Sequence, residues 1–354
     1  MTGQLLFLGV PGPELTSDDA ALYRRIQPGG FILFTRNMVS PQQTRRLTDE
    51  LRALCAHEPF IAVDQEGGRV TRTREFTPIP PSAAELRDHG DTRASARHGA
   101  LTGDLLRLLG INLNFAPVLD IAHDEAAENA LRGRCSGRNS QQVIDHAGNF
   151  ARWMTKRGVL ATGKHFPSCA RANVDPHHDL PVSHVTLAEL LAEDILPFTA
   201  LMPELAAIMT SHVLYPELDP DHPATLSKRI LTGLLRDQLG FDQHLVITDD
   251  LDMGAIQRHY GRGPDVEAAI RAGNDIALIC HQIQSADTAL EALARVPHHL
   301  RDDALRRIER ARKKLQAPMD FSEKKWQETT AAIATLREEV AHSSATADSP
   351  VEKY

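Results

Sequence analysis

The chain is poor in cysteine and in aromatic residues. Its 354 residues hold four cysteines, and Phe, Trp and Tyr together make up 5%. Cys55, Cys135, Cys169 and Cys280 lie far apart, and none belongs to a C-x-x-C pair. That spacing argues against a disulfide framework or a zinc ribbon and fits a reducing compartment, so a cytoplasmic location is expected. No run of 18 apolar residues occurs, and no membrane-spanning helix is expected. The opening stretch, MTGQLLFLGVPGPELTSDD, has a short apolar run with no basic residues ahead of it, unlike a secretion signal. Positive charge is in deficit: 39 Lys and Arg against 47 Asp and Glu leave a net charge of −8. Nucleic acid is excluded as a bulk partner, because that affinity rests on Lys and Arg neutralising phosphates. No G-x-G-x-x-G follows a strand-like run, so the usual dinucleotide fingerprint is missing. Internal repeats and low-complexity tracts are absent.

What is present is the composition of a globular protein, with 42% apolar and 24% charged residues. Eight short apolar or β-branched runs recur along the chain. They are LLFLGV (5–10), FILF (31–34), FIAVD (60–64), NLNFAP (112–117), LATGKHF (160–166), AAIMTSH (206–212), LVITDD (245–250) and DIALIC (275–280). Segments with apolar residues at helical spacing lie between them, such as 44–54, 95–110, 187–202 and 227–240. Gly110 and Gly240 stand just past two of these, where a helix C-terminus favours Gly. Eight strands alternating with helices predict an α/β protein: one (β/α)8 TIM-like barrel, with room for irregularity in the first strands. An open doubly wound sheet is the alternative. The barrel with its C-terminal helices is expected to span 1–340. LRDDALRRIERARKKLQ (300–316) reads as the solvated face of a packed terminal helix. The small polar segment 341–354 is expected to fray.

The strand runs share a second feature. Several end in ionisable or polar residues: Asp64, Asp120, Lys164 and His165, Ser211 and His212, Asp249 and Asp250, His281. Burying an unpaired carboxylate costs several kcal/mol, so such residues do not belong in apolar packing. In a β/α barrel these ends gather at one rim, where barrels do chemistry. Individually, each also reads as a helix cap or a turn residue.

Three segments concentrate this chemistry. DQEGGRV (64–70) follows a strand-end acid with two glycines, which permit close approach of backbone to a ligand, and Arg69 and Arg72 stand near. In ATGKHFPSCARANVDPHHDLP (161–181), Lys164 and His165 end a strand. The loop after them carries Asp175 and His177, two residues apart, so the carboxylate can orient the imidazole as a general acid/base pair. A metal site from His177, His178 and Asp179 lacks helical spacing and a nearby cysteine, so no metal is expected. Lys164 could instead be a Schiff-base lysine, although only its strand-end position favours this. In LVITDDLDMGAI (245–256), Asp249 directly follows an apolar strand. A strand-end Asp that stays ionised can attack an anomeric carbon. Asp250 or Asp252 reads as a cap of the next helix.

Taken in order, DQEGGRV, KHFP with D-x-H and LP, MTSHVLYP with PATLS, and ITDDLDM resemble glycoside hydrolase family 3. The similarity is to its single-domain NagZ-type branch, the bacterial β-N-acetylglucosaminidases. GGFILFTRN and LGINLNFAPVLDI match as well, and the resemblance runs over roughly 5–315. It implies roles by position. Asp249 matches the nucleophile, His177 the acid/base and Asp175 the partner of that histidine. Asp64, Arg72, Arg134, Lys164 and His165 match positions that bind a terminal N-acetylglucosamine. It further implies a retaining exo-glycosidase without cofactor, acting on cell-wall fragments in cytoplasmic recycling. A phosphorylase, a glucosidase and a non-catalytic sugar-binding barrel stand as alternatives. The chain departs from the family pattern in three places. KHFPSCA stands for KHFPGHG, Asp175-Pro176-His177 for D-S-H, and LRGRCSG around Arg134 for G-D-R-S-F-G. The lost glycines and the added proline predict a stiffer loop.

Overall fold

Each of the eight apolar runs forms a strand, and the strands close on one another. They are β1 (Leu6–Gly9), β2 (Gly30–Leu33), β3 (Phe60–Val63), β4 (Leu113–Asn114), β5 (Leu160–Phe166), β6 (Ala207–Thr210), β7 (Leu245–Asp250) and β8 (Ile276–Ile279). Neighbours around the barrel follow chain order, and β8 pairs back onto β1. All eight pairings are parallel. The open doubly wound alternative is thereby excluded. This computed structural model describes residues 2–125, 130–172 and 180–341. Asp175, His177, His178 and Asp179 lie outside the described residues, as does the 341–354 tail beyond Ala341.

The strands are buried on both faces, as parallel strands under a layer of helices must be. Phe7 on β1, Phe60 on β3 and Phe115 just past β4 come from different parts of the barrel, yet their rings meet across the interior. Phe7 lies 5.7 Å from Phe60 and 6.5 Å from Phe115, centroid to centroid. They fill the barrel beneath the rim described below.

The shortest strand is β4, and two buried asparagines stitch it to β3. Asn112 accepts from the Ile61 amide through Oδ1 and donates to the Pro59 carbonyl. Asn114 does the same with the Gln65 amide and carbonyl. A side-chain amide thus replaces ladder bonds that the short backbone pairing does not supply.

The helices form where apolar spacing predicts them, with a wider π-type winding over Arg229–Gln238 and one break. Segment 187–202 splits into the helices Leu187–Ala192 and Leu196–Ala200. Pro197 has no amide hydrogen to give a preceding turn, so it sits in the first turn of the second helix. Gly110 and Gly240 take positive φ, 75° and 83°, as the helix ends require. The basic segment forms the helix His298–Arg312, which buries Ala304, Ile308 and Ala311, but it is not the terminal one: a further helix, Glu323–Val340, follows and buries Trp326, Ile333 and Leu336. The basic face of His298–Arg312 is not wholly solvated: Arg307 pairs with the buried Asp275, and Arg312 donates to the Glu58 carbonyl. Among the described residues, no helix is long and apolar enough to cross a membrane.

Candidate active site

Strand geometry decides which side chains reach the C-terminal rim. Side chains alternate along a regular strand, so adjacent residues should face opposite ways. Two register shifts break that rule. One lies between Lys164 and Phe166, where β5 meets β6, and the other between Ile247 and Asp250, where β7 meets β8. A bulge of this kind re-aims a side chain beside a site. The result is that Lys164 and His165, and likewise Asp249 and Asp250, all line one cavity of about 280 Å³. Asp64, Glu66, Arg72, Arg134, Met209, Asp252, Met253 and His281 line it too. The site residues expected from sequence within the described chain, Asp64, Arg72, Arg134, Lys164, His165 and Asp249, therefore share one pocket.

A chain of charges forms one wall. Lys164 Nζ lies 2.7 Å from Asp64 Oδ1 and 2.6 Å from Glu66 Oε1. Arg72 donates to Asp64 Oδ2 at 3.1 Å. Arg134 grips Glu66 with Nε and Nη2, both at 2.8 Å, in a bidentate fork. Burial alone would raise the Glu66 carboxyl, but Arg134 and Lys164 hold it far below the ordinary range. Asp64 follows the same balance with Lys164 and Arg72. Three cations thus face two carboxylates, and the buried charges are paired as burial demands. The lysine is engaged by two carboxylates, which leaves its nitrogen committed to ion pairs and speaks against the Schiff-base reading.

His165 is fixed from behind. Its Nδ1 donates to Asp120 Oδ2 at 2.7 Å, and its backbone amide donates to the same oxygen at 3.1 Å. Burial would raise Asp120, yet its hydrogen bonds from His165 and the Cys169 amide keep it below the normal carboxylate range. A carboxylate behind an imidazole sets its tautomer and orientation.

On β7, Asp249 is the one partly exposed residue of an otherwise buried strand. Burial by itself would raise its carboxyl. His212 and His165, the Asp250 amide and Lys164 outweigh that and leave it lowered. The next residue moves the other way: burial, then Asp252 and Asp249, push Asp250 upward. Repulsion among the three acids is relieved by this division and by partners for Asp252, which accepts from the His281 and Gln282 amides and pairs with Arg262. Asp250 takes the Asp252 and Cys280 amides. Asp250 and Asp252 thus organise the β7 and β8 ends rather than cap a helix.

Two readings change. Gly67 and Gly68 do not line the pocket. A Cβ on Gly67 would lie 2.3 Å from the Pro81 carbonyl, and one on Gly68 2.5 Å from Ser82 Cβ. With φ of 103° and 56°, they turn a small hairpin tightly against 80–82, which carries Glu66 back to the wall. Sequence reasoning also missed Glu66 as a site residue, along with Phe34 and Arg36. Arg36 lies over the Phe34 ring at 4.5 Å and beside His281 Nδ1 at 3.2 Å. No local pattern marks them, since each is defined by a distant partner.

Where the chain leaves β5, the segment that replaces Gly-His-Gly is tied down. Ser168 Oγ donates to Asp194, the Cys169 amide to Asp120, and Tyr215 OH to the Ser168 carbonyl. Arg171 pairs with Glu193 and Asp194.

The chain is similar to known proteins over most of its length. Residues 2–311 match the glycosyl hydrolase family 3 N terminal domain. A β-hexosaminidase of Pseudomonas aeruginosa is 36% identical over 335 residues, 94% of this chain and 98% of that protein. One from Methylococcus capsulatus is 38% identical over 286 residues, 80% of this chain and 84% of that protein. Among solved structures, a family 3 β-N-acetylglucosaminidase from Paenibacillus sp. superposes with a TM-score of 0.89 at 32% identity, covering 96% of this chain and 68% of that one. NagZ from Neisseria gonorrhoeae in complex with N-trifluoroacetyl-D-glucosamine gives 0.80 at 29% identity, covering 95% and 98%. With its closed eight-stranded barrel and its acid-lined rim, the chain belongs to glycosyl hydrolase family 3 and resembles the family's β-hexosaminidases over nearly its whole length.

Proposed function

We propose that the protein is a retaining exo-β-N-acetylglucosaminidase. The observation that carries this reading is Asp249: a carboxylate kept ionised at the end of β7, partly exposed, in a pocket walled by the Asp64–Lys164–Glu66–Arg134 chain. Asp249 attacks the anomeric carbon and forms a covalent glycosyl-enzyme. His177, oriented by Asp175, protonates the leaving oxygen and then draws a proton from water. Asp64, Arg72, Arg134, Lys164 and His165 bind the terminal sugar. Charged wall groups suit hydroxyls because hydrogen bonds to ions are the stronger kind. Most glycosidases use two carboxylates. A histidine in the acid role is neutral, not anionic, once its proton is given up.

The likeness to β-hexosaminidases and to a complex with an N-acylated glucosamine supports the substrate class. We assign as natural substrate a cell-wall fragment, N-acetylglucosamine linked to anhydro-N-acetylmuramic acid, consumed in cytoplasmic peptidoglycan recycling. The chain needs no metal or organic cofactor in this scheme. Trapping with a 2-fluoro or 5-fluoro glycoside, then peptide mass analysis, tests it: the label is expected within 245–256. Binding of N-acetylglucosamine without release of aglycone at any pH would replace this proposal with a sugar-binding barrel.

A further inference from the structure

Asp120, His165 and Cys169 each bring a donor atom within 4.8 Å of the other two. They are a carboxylate oxygen, an imidazole nitrogen and a thiol sulfur. The pairing that organises them is already in place. His165 Nδ1 lies 2.7 Å from Asp120 Oδ2, and the Cys169 amide donates to Asp120 Oδ1 at 2.5 Å. The second donor cluster of this kind, His123, Glu193 and Asp194, differs in one respect. Arg171 spans its two carboxylates at 2.6 and 2.8 Å and already supplies a cation. Among the described residues, no lysine or arginine pairs with Asp120, whose side-chain partners are His165 and Ser168.

We propose that Asp120, His165 and Cys169 form a binding site for a borderline or soft divalent cation, zinc or cadmium, at the edge of the sugar pocket, and that an ion there blocks turnover. The donor set suits such an ion, since zinc takes thiolate, imidazole and carboxylate ligands with tetrahedral geometry. Bond lengths of about 2.0–2.3 Å put tetrahedral donors roughly 3.4–3.7 Å apart. The three donor atoms lie within 4.8 Å of one another, so side-chain shifts of an ångström or so reach that spacing. The 2.7 Å His–Asp contact must open by about 0.7–1 Å to reach it. On binding, the thiol proton leaves to solvent, and the imidazole proton moves from Nδ1 to Nε2 as Nδ1 takes the metal. Water completes the fourth position. His165 then turns a different face of its hydrogen-bonding chemistry to the pocket it lines, which is why an ion here inhibits. The sulfur is this chain's own contribution, since the sequence reads KHFPSCA where the family pattern reads KHFPGHG.

The test uses the full chain stripped with EDTA. Titration with cadmium chloride should give one equivalent of binding with an ultraviolet thiolate-to-metal band, and EDTA should reverse it. Zinc chloride should inhibit release of an aryl aglycone and protect Cys169 from iodoacetamide, read by peptide mass. Cys135 and Cys280 are buried, so their weak labelling provides an internal reference. Cys169→Ala should match the wild-type rate without metal, lose the band, and weaken zinc inhibition at least about tenfold. Cys169→Ser gives the same comparison with a near-isosteric side chain. The proposal is overturned if cadmium gives no thiolate band, if zinc leaves Cys169 alkylation unchanged, or if Cys169→Ala is inhibited as readily as the wild type. Cadmium binding and alkylation are read without turnover, so they judge the metal site even if the glycosidase reading fails.

Discussion

Replacing Glu66 by Gln asks whether charge balance or packing holds the pocket wall. Glu66 takes a bidentate fork from Arg134 and a bond from Lys164, all at 2.6–2.8 Å. Glu66→Gln removes one negative charge from this wall: Arg134 loses its bidentate carboxylate, and Lys164 keeps only one of its two close carboxylate contacts, Asp64. Removing one partner of a buried pair costs about 3–5 kcal/mol. Lys164→Met is a different perturbation. Each carboxylate keeps an arginine, Arg72 on Asp64 and Arg134 on Glu66. The ammonium's hydrogen bonds, roughly 1.5–3 kcal/mol each, are lost. The desolvation cost of an ammonium only 2% exposed is lost with them, so the net loss should be about 1–2 kcal/mol. In the double variant one cation leaves with the one carboxylate, so the change in wall charge cancels and about 1–2 kcal/mol should be regained over additivity. The pH dependence carries its own sign. Glu66 is lowered in the fold from an ordinary 4.5. Its stabilisation is therefore complete above 4.5 and lost as pH falls toward the folded value. The gap between wild type and Glu66→Gln should hold from neutrality to about pH 5 and narrow in more acid solution. Urea unfolding followed by circular dichroism at several pH values measures it. Equal losses for the two single variants, effects that add within about 0.5 kcal/mol, or a gap that ignores pH would refute the reasoning.

Asp249→Ala should lower kcat by at least about a thousandfold while the circular dichroism spectrum and melting temperature stay at wild-type values; residual turnover of a few per cent would remove it from the nucleophile role. Replacing His177 by Ala should slow substrates with poor leaving groups by about 10²–10⁴ and spare activated aryl glycosides, which a leaving-group series measures as a steeper slope. His98 is buried against Phe150, and burial lowers it to about 4 from 6.5. The unfolded chain binds that proton first, so stability should drop by roughly 3 kcal/mol as pH falls from 6.5 to about 4, and His98→Gln should flatten that part of the profile. Gly67→Ala should cost at least about 2 kcal/mol, seen in thermal melts, because its Cβ meets the Pro81 carbonyl at 2.3 Å with φ at 103°.

The barrel was legible because its signal is local. Four to seven apolar residues bounded by polar ones mark a parallel strand wherever they fall, and all eight runs do so here. The acids and bases at the ends of those runs were legible for the same reason: a charge directly after an apolar strand has no place in the core. What was not legible depends on pairs distant in sequence. Lys164 and Asp64 are 100 residues apart, and Arg134 and Glu66 are 68 apart. Glu66 hides between a strand-end acid and two glycines, and it becomes a wall residue only because the hairpin folds back. The glycines themselves misled, since small residues look the same whether they make room for a ligand or for Pro81 and Ser82. The break at Pro197 moved a helix boundary in a segment whose apolar spacing continues through it.

The two ends of the barrel use charge differently, and the contrast supports the proposal that the C-terminal rim is the one that acts on a sugar. Asp275 stands just before β8, at the N-terminal end. It is fully buried, accepts the Val246 amide, and is held by Arg236 and Arg307 at 2.9 and 2.8 Å. Both carboxylate oxygens of Asp275 are committed to the fold. At the other end the ion pairs leave a cavity between them, and the bulges in β5 and β7 turn adjacent residues into it. Asp249 and Asp250 show the consequence within one dipeptide. The first is partly exposed and held ionised by His212, His165 and Lys164, so its oxygens can meet a substrate carbon. The second is buried, takes the Asp252 and Cys280 amides, and is driven toward its neutral form. Two identical side chains placed side by side are thus shifted in opposite directions, and the partly exposed, lowered one suits the proposed nucleophile role. Exchanging their environments, not their chemistry, would be enough to silence the site.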